Sequence, residues 1–331
     1  MSEERFLITG ALGCIGAWTL HELVREGAPV VAFGRTADPR RPAALLSPDE
    51  LSRVTFVVGD VRDPDSLGAV MDEHAITNVI HLAALQVPFC RADPIGGAQV
   101  NVVGTVAAFE AVRARRERMA PLVYAGSVGM FDTADADIPS GRLRTDADAH
   151  PATLYGVYKL ANEGTARVYW AEHRVASFGL RPMTVYGPGR DQGMTSTPTK
   201  AMAAAVLGLP YRVSFGGSTL YQYAADVARL FIRASRAAVP GANVANLGGS
   251  VASMDQVVAL IEAEVPEAAG HITFEPRPLP FPVDIDASGL APLGDVPVTP
   301  LAEGVAETIA RFRRLAAEGR LTPALAGIES G

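Results

Sequence analysis

Lysine is nearly missing from this chain: of 29 lysines and arginines among 331 residues, only Lys159 and Lys200 are lysines. Cysteine is as scarce, with Cys14 and Cys90 alone, so no disulfide framework exists and a bond between the two is not expected. None of the six histidines has zinc-type spacing to another ligand, and no metal site is legible. A net charge of −7 and a pI near 5.4 deny the chain the basic face that gripping nucleic acid or an anionic membrane requires. The densest basic run, Arg113 to Arg118, falls on a helical stretch and reads as a solvated face. No apolar run approaches the ~18 residues of a membrane span, and the first strand begins near residue 5 without a basic-then-apolar leader, so a cytoplasmic protein is expected. What is plentiful is apolar surface. With 48% apolar residues and a mean hydropathy of +0.17, the chain can bury a large core as one large domain or two unequal ones.

Near the N-terminus, Arg5 to Thr9 read as a short strand running into Thr9-Gly10-Ala11-Leu12-Gly13-Cys14-Ile15-Gly16. The glycines at 10, 13 and 16 supply a tight turn, close backbone approach to a pyrophosphate and close helix packing. The helical pattern of Ala17 to Glu26 then offers its N-terminal N–H groups and dipole to the anion. Further strands are expected at Pro29–Phe33, Val54–Val58, Val79–Leu82, Leu122–Ala125, Ala176–Leu180 and Asn243–Asn246. Helices are expected at Asp93–Arg118, Thr153–His173, Thr197–Leu207, Ala224–Ala238, Ser253–Glu264 and Pro300–Ala317, the last capped by Thr299 with Pro300 in its first turn. This alternation predicts a doubly wound parallel α/β sheet. Pro276 to Pro300 reads as an ordered loop or short-strand region. After residue 182 the alternation weakens, which predicts a smaller C-terminal substrate-binding lobe. The expected division is 1–182 plus about 225–250 for the dinucleotide-binding part, and about 183–224 plus 251–331 for the lobe.

Tyr155-Gly156-Val157-Tyr158-Lys159 places a phenol and an ammonium four residues apart, on one face of a helix. With so few lysines, such a pair arises by chance in roughly one chain in twenty. A phenol near pKa 10 is a poor base, but an ammonium ~5 Å away at an effective dielectric near 20 favours phenolate by ~3 kcal/mol, about two pKa units before desolvation. The pair suits proton transfer at a carbonyl or carbinol oxygen.

Together with the glycine turn, a set of further motifs resembles the extended short-chain dehydrogenase/reductases of the NAD-dependent epimerase/dehydratase superfamily. These motifs are Gly59-Asp60-Val61, His81-Leu82-Ala83-Ala84, Asn101 to Thr105, Ser127, Glu163, and Arg181-Pro182 with Val185-Tyr186-Gly187-Pro188-Gly189-Arg190. The likeness covers nearly the whole chain and implies a Rossmann-type sheet. It assigns catalysis to Ser127, Tyr155 and Lys159, with Asn101 behind the lysine. It assigns the cofactor to Gly10, Leu12, Gly13, Cys14, Ile15, Gly16, Asp60, Val61, Leu82, Ala83, Ala84, Tyr155, Lys159, Pro182 and Val185. The resemblance also implies a homodimer packed through Asp93–Arg118 and Thr153–His173.

Two departures from the family pattern carry information. Where NAD-preferring members end the second strand with an acidic residue on the ribose, this chain has Phe33-Gly34-Arg35. The missing carboxylate at Gly34 and the guanidinium of Arg35 point to NADP(H) over NAD(H), with Arg40 and Arg41 either assisting or lying on a loop surface. Members acting on nucleotide-diphosphate sugars commonly carry an arginine seven positions before the aspartate of a motif that here ends in Asp226. This chain has Thr219 there, leaving Arg190 or Arg212 as substitutes. The hydroxyl-rich loop from Asp191 to Lys200 either lines a pocket for a small polyol, hydroxy acid or ketone, or merely caps the helix at Thr197. Ser127, Tyr186, Arg190, Thr195 and Lys200 are the candidate substrate residues.

The reading is an NADP(H)-dependent oxidoreductase that interconverts a secondary alcohol and a carbonyl on a small non-nucleotide substrate. The alternative is a nucleotide-sugar epimerase or dehydratase with tightly held NAD; no acidic pair follows Ser127 in Val128 to Phe131, which disfavours dehydration. From other classes, Ala125-Gly126-Ser127-Val128-Gly129 resembles a hydrolase nucleophile elbow with its first glycine replaced, and a non-catalytic cofactor sensor would have no need of the Ser-Tyr-Lys set.

Overall fold

The computed structural model describes residues 4–131, 142–296 and 298–328. Its centre is a seven-stranded parallel sheet. From edge to edge the strands are Ala242–Asn246, Ser177–Arg181, Leu122–Ala125, Asn78–His81, Phe6–Thr9, Val30–Gly34 and Val54–Val58. The central strands read as continuous apolar runs because both faces are covered. Phe6, Ile8, Ala32 and Phe178 face one way into a core with helices Cys14–Arg25 and Ala224–Arg236. Leu7, Val31, Phe33 and Tyr124 face the other, against Pro64–Glu73 and Gly104–Arg113. The chain order reverses beside Phe6–Thr9, so the crevice at the carboxyl ends of strands Phe6–Thr9 and Asn78–His81 is where a ligand enters such a sheet.

Residues 183–224 and 250–274 supply smaller sheets. Ser218–Tyr223 pairs in parallel with Thr184–Tyr186 and antiparallel with Ser250–Ser253. Tyr211–Val213 pairs with Ile272–Phe274.

Strand bounds fall within one residue of those expected, but several helices differ. The stretch expected as one helix over Asp93–Arg118 is divided into Pro94–Ala98, a π-helical turn Gln99–Val103, Gly104–Arg113 and a 3-10 turn Arg116–Arg118. The extra residue in the π turn accommodates Asn101, which is buried and bonded to backbone outside the helix. Pro94–Arg113 is long and apolar enough to cross a membrane, but half of its most apolar 18 residues are buried inside the fold and it carries the interior polar residues Asn101 and Thr105. It is a core helix on that packing.

Helices Pro64–Glu73 and Val87–Ala92 escaped the sequence pattern; the first is announced only by Asp63, whose carboxylate accepts from the N–H groups of Asp65 and Ser66. Thr299 does not cap the last long helix. Leu301–Ala317 begins after Pro300 without a side-chain cap, because the hydroxyl and N–H of Thr299 both donate to Asp226. The basic run lies on a largely exposed face as expected, where Arg115 and Arg118 both pair with Asp72. The region expected as loop or short strand holds the strand Asp284–Ile285 and the 3-10 turn Ser288–Leu293. Both cysteines are free.

Candidate active site

The first strand delivers Gly10 at φ +67°, where a Cβ would sit 2.6 Å from the Ala83 nitrogen, so only glycine lets the two turns meet. A Cβ on Gly16 would stand 2.4 Å from the Gly10 carbonyl, which is why the helix can pack onto the turn. Helix Cys14–Arg25 starts after Gly13 with no side-chain cap and no acidic residue in its first turn. Its opening N–H groups are thereby left to an anion. Opposite, Leu82 N–H donates to the Thr9 carbonyl and Ala83 N–H to the Thr9 hydroxyl, fixing the Leu82–Ala84 edge of the same crevice. These residues fit a dinucleotide. The Cys14 thiol sits at the turn; burial pushes it up to about 12, against the nearby charges of Arg190 and Arg41, so it is a packing group rather than a nucleophile.

At the end of the second strand, a Cβ on Gly34 would have nothing nearer than 3.9 Å, and Arg35 is exposed. Asp60 holds Arg62 through both carboxylate oxygens, and Val61 is buried beneath. Arg41 does not join Arg35. Its guanidinium donates to the Leu12 carbonyl at 2.8 Å and to both oxygens of Asp191 at 2.9 and 3.0 Å, tying the glycine turn to the loop after Thr184–Tyr186. Arg40 pairs with Asp38 at the surface.

Ser127 caps the 3-10 turn Val128–Met130 through its hydroxyl, and Tyr155 opens the helix Leu154–His173, capped by Thr153. The two converge around Gly129, where a Cβ would meet Ser127 Oγ at 3.1 Å and the Tyr155 ring at 3.5 Å. Burial pushes the Tyr155 phenol above its usual value, opposed by a hydrogen bond from Ser127 and by the positive charge of Arg190. That is the reverse of the downward pull expected from Lys159. The reason is geometric: the Lys159 Nζ lies 5.6 Å from the centre of the Tyr155 ring and donates to the Ala125 carbonyl at 2.6 Å. Lys159 is 3% exposed, and burial pushes its ammonium down to about 8, with Cys90 drawing it back up. His81, bracketed by the hydroxyls of Thr9 and Thr105, is held neutral down to about 3 by burial and by that same ammonium.

Asn101 stands one layer behind. Its amide accepts from Leu85 N–H at 2.7 Å and donates to the Leu85 carbonyl at 2.9 Å, so its side chain fixes backbone rather than touching Lys159. Glu163 and Arg181 form a buried two-armed ion pair, 2.7 Å at each arm, beneath Gly126. Pro182 holds Val128 N–H through its carbonyl, and Val185 is buried in the small sheet.

Of the candidate substrate residues, Arg190 and Thr195 meet at 3.0 Å. Lys200 lies in the first turn of Thr197–Val206, without a side-chain hydrogen bond among the described residues. Tyr186 is not a pocket residue: it is 1% exposed, and a Cβ on Gly304 would fall within 1.9 Å of its hydroxyl, deep among core aromatics. Most loop hydroxyls serve the loop itself: Ser196 donates to the Gly193 carbonyl, and Thr199 accepts from Gly187 N–H. Thr219 is buried and bonded to Thr184, and Arg212 pairs with Glu275, so neither offers a free cation. Gln86 was not singled out in the sequence; its Oε1 is buried without a partner beside Gly193. No periodicity or spacing marks it. A separate cavity of ≈ 330 Å³ between Asp226, Gly248 and Leu290 shares none of these residues.

Residues 6–248 match the family described as NAD dependent epimerase/dehydratase. The chain is 30% identical over 320 residues to UDP-glucose 4-epimerase of Mycolicibacterium smegmatis, spanning 93% of this chain and 98% of that one. Its fold is shared with L-threonine dehydrogenase of Clostridium difficile, at TM-score 0.81 and 19% identity over 97% of this chain and all (100%) of that one. The UDP-glucose 4-epimerase of Thermus thermophilus, solved in complex with NAD, superposes with TM-score 0.76 at 24% identity, over 93% and 99% of the two chains.

Proposed function

The chain belongs to the NAD-dependent epimerase/dehydratase family, and within it we propose an NADP(H)-dependent oxidoreductase that interconverts a secondary alcohol and a carbonyl on a small, non-nucleotide substrate. The observation that carries this reading is the convergence of Ser127 and Tyr155 around Gly129 with the Lys159 ammonium behind the ring. Ser127 holds the reacting oxygen. Tyr155 exchanges a proton with it, the phenolate being favoured by the Ser127 hydrogen bond and the charge of Arg190, while Lys159, cationic at neutral pH, lies behind the ring. The dinucleotide, held by the Gly10–Gly16 turn and the Leu82–Ala84 edge, supplies or accepts hydride when bound. Preference for the phosphorylated cofactor rests on open space at Gly34 and the exposed guanidinium of Arg35.

Thr219 carries no charge and Arg212 is engaged by Glu275, which leaves Arg190 as the one cation of the three positions and supports a substrate with less negative charge than a diphosphate. The likeness to an epimerase along most of the chain favours the second reading, a sugar-nucleotide epimerase with retained NAD. Also part of the proposal are the two-part division near residues 182, 225 and 250, a cytoplasmic location, and a homodimer packed through Asp93–Arg118 and Thr153–His173.

Purified protein, assayed for NADPH or NADH consumption against aldehydes, ketones, sugar acids and sugar lactones, tests this directly. Turnover of one such class, lost by 10²- to 10⁴-fold in Tyr155→Phe, is expected. Cofactor carried through purification, with UDP-sugars alone raising the thermal midpoint, replaces it with the epimerase reading.

A further inference from the structure

Arg190 follows a turn in which Gly189 has φ +87° and the Arg190 N–H donates to the Gly187 carbonyl. The Arg190 Nη2 donates to Thr195 Oγ1 at 3.0 Å, and Thr195 is itself only 8% exposed. The Nε is buried and has no partner. The neighbouring carboxylate could have neutralised this charge, but Asp191 is taken up by Arg41, which grips both of its oxygens. A guanidinium carries five donors, and leaving a buried one unmatched is costly unless something arrives to match it.

Two further observations bear on what could match it. The buried Oε1 of Gln86 also lacks a partner, and it faces Arg190 across Gly193: a Cβ on that glycine would lie 2.0 Å from Gln86 Oε1 and 3.4 Å from Arg190 Nη2. The charge of Arg190 is also felt at the Tyr155 phenol. An unmatched guanidinium nitrogen and an unmatched amide oxygen thus lie close to Gly193, within reach of the charge that Tyr155 feels.

We propose that Arg190, oriented by Thr195, is the anchor for a carboxylate on the substrate, and that Gln86 receives a hydroxyl of the same molecule. The substrate class is a polyhydroxy acid or its keto form. The inference rests on the oxidoreductase reading and deepens it by naming what the small molecule carries. An anion at Arg190 has a second source, the cofactor pyrophosphate, because the guanidinium also lies near Cys14 at the helix start. The substrate is favoured because the uncapped N-terminus of Cys14–Arg25 already offers neutral donors to the pyrophosphate, whereas the unpartnered Gln86 acceptor has no use there.

The test uses matched probes, D-galacturonate against D-galactose and D-gluconate against D-glucitol, with wild type, Arg190→Met and Thr195→Val. Turnover and the thermal midpoint are both read with saturating NAD⁺ or NADP⁺. The expected result is a preference for acid over neutral partner of roughly ten- to hundred-fold, the scale of a charge-assisted fork, that collapses toward unity in Arg190→Met and falls partially in Thr195→Val. Thr195→Val keeps the Arg190 charge and removes only the hydroxyl that orients it, so it answers even where Arg190→Met fails to fold. Midpoint shifts by the acids alone, dependent on Arg190 and without turnover, leave the carboxylate anchor standing while removing the oxidoreductase reading. Equal handling of acid and neutral probes, no response to either acid, or an Arg190→Met variant that weakens only the cofactor titration, overturns the anchor.

Discussion

Lys159 Nζ lies 5.6 Å from the centre of the Tyr155 ring, one helical turn along, with its nearest hydrogen bond made to the Ala125 carbonyl at 2.6 Å. An ammonium so buried is a stability cost that titrates away. Its ordinary value is 10.5 and its folded value about 8, so between those pH values the unfolded chain holds more protons and stability rises with pH. The stability of wild type relative to Lys159→Met is expected to rise by about 2 kcal/mol between pH 7.5 and 10, measured by urea unfolding of both proteins. A pH-independent difference would show that the lysine is not desolvated.

The Arg181–Glu163 pair is shielded almost completely, at 5% and 2% side-chain exposure, and Arg181 also donates to the Thr145 carbonyl and the Asn246 amide oxygen. Removing one charge strands the other. Glu163→Gln is expected to cost about 3–5 kcal/mol in urea unfolding. Glu163→Leu combined with Arg181→Met is expected to recover most of that loss; a single variant as stable as wild type would refute the buried-charge account.

Gly34→Asp introduces a carboxylate where a Cβ has open space, so the fold is expected to tolerate it. The substitution should weaken NADP(H) by about tenfold or more relative to NAD(H), the effect of ~1.4 kcal/mol of repulsion. Titrations at fixed pH check this. Wild type binding the two cofactors equally, or NAD(H) better, would sink the preference.

Ile95 at 73% exposure, Val103 at 48% and Val168 at 51% form apolar surface on the two helical segments assigned to the dimer. Ile95→Glu with Val168→Glu is expected to convert a dimer to a monomer in sedimentation velocity without lowering secondary structure content. A wild-type monomer at micromolar concentration would dispose of the interface.

The sheet was legible because its strands are continuous apolar runs between glycine-rich turns, and the Tyr155 helix because Thr153 caps it. Helix Val87–Ala92, only six residues long, offers no such period, and the π turn at Asn101 answers to a bond with Leu85, 16 residues away in sequence. Tyr186 and Arg190 look equally polar in the chain. One is sealed against Gly304 and the other is left with an unmatched nitrogen.

By itself the sequence determined the strand order's raw material, the glycine turn and the spacing of Tyr155 and Lys159, since these depend on neighbours within a few residues. Tertiary structure alone decided that burial raises the Tyr155 phenol, that Arg41 turns to Asp191, and that Gln86 and Arg190 both come up beside Gly193. Those outcomes depend on desolvation and on which distant charges arrive first, and neither is written in local spacing.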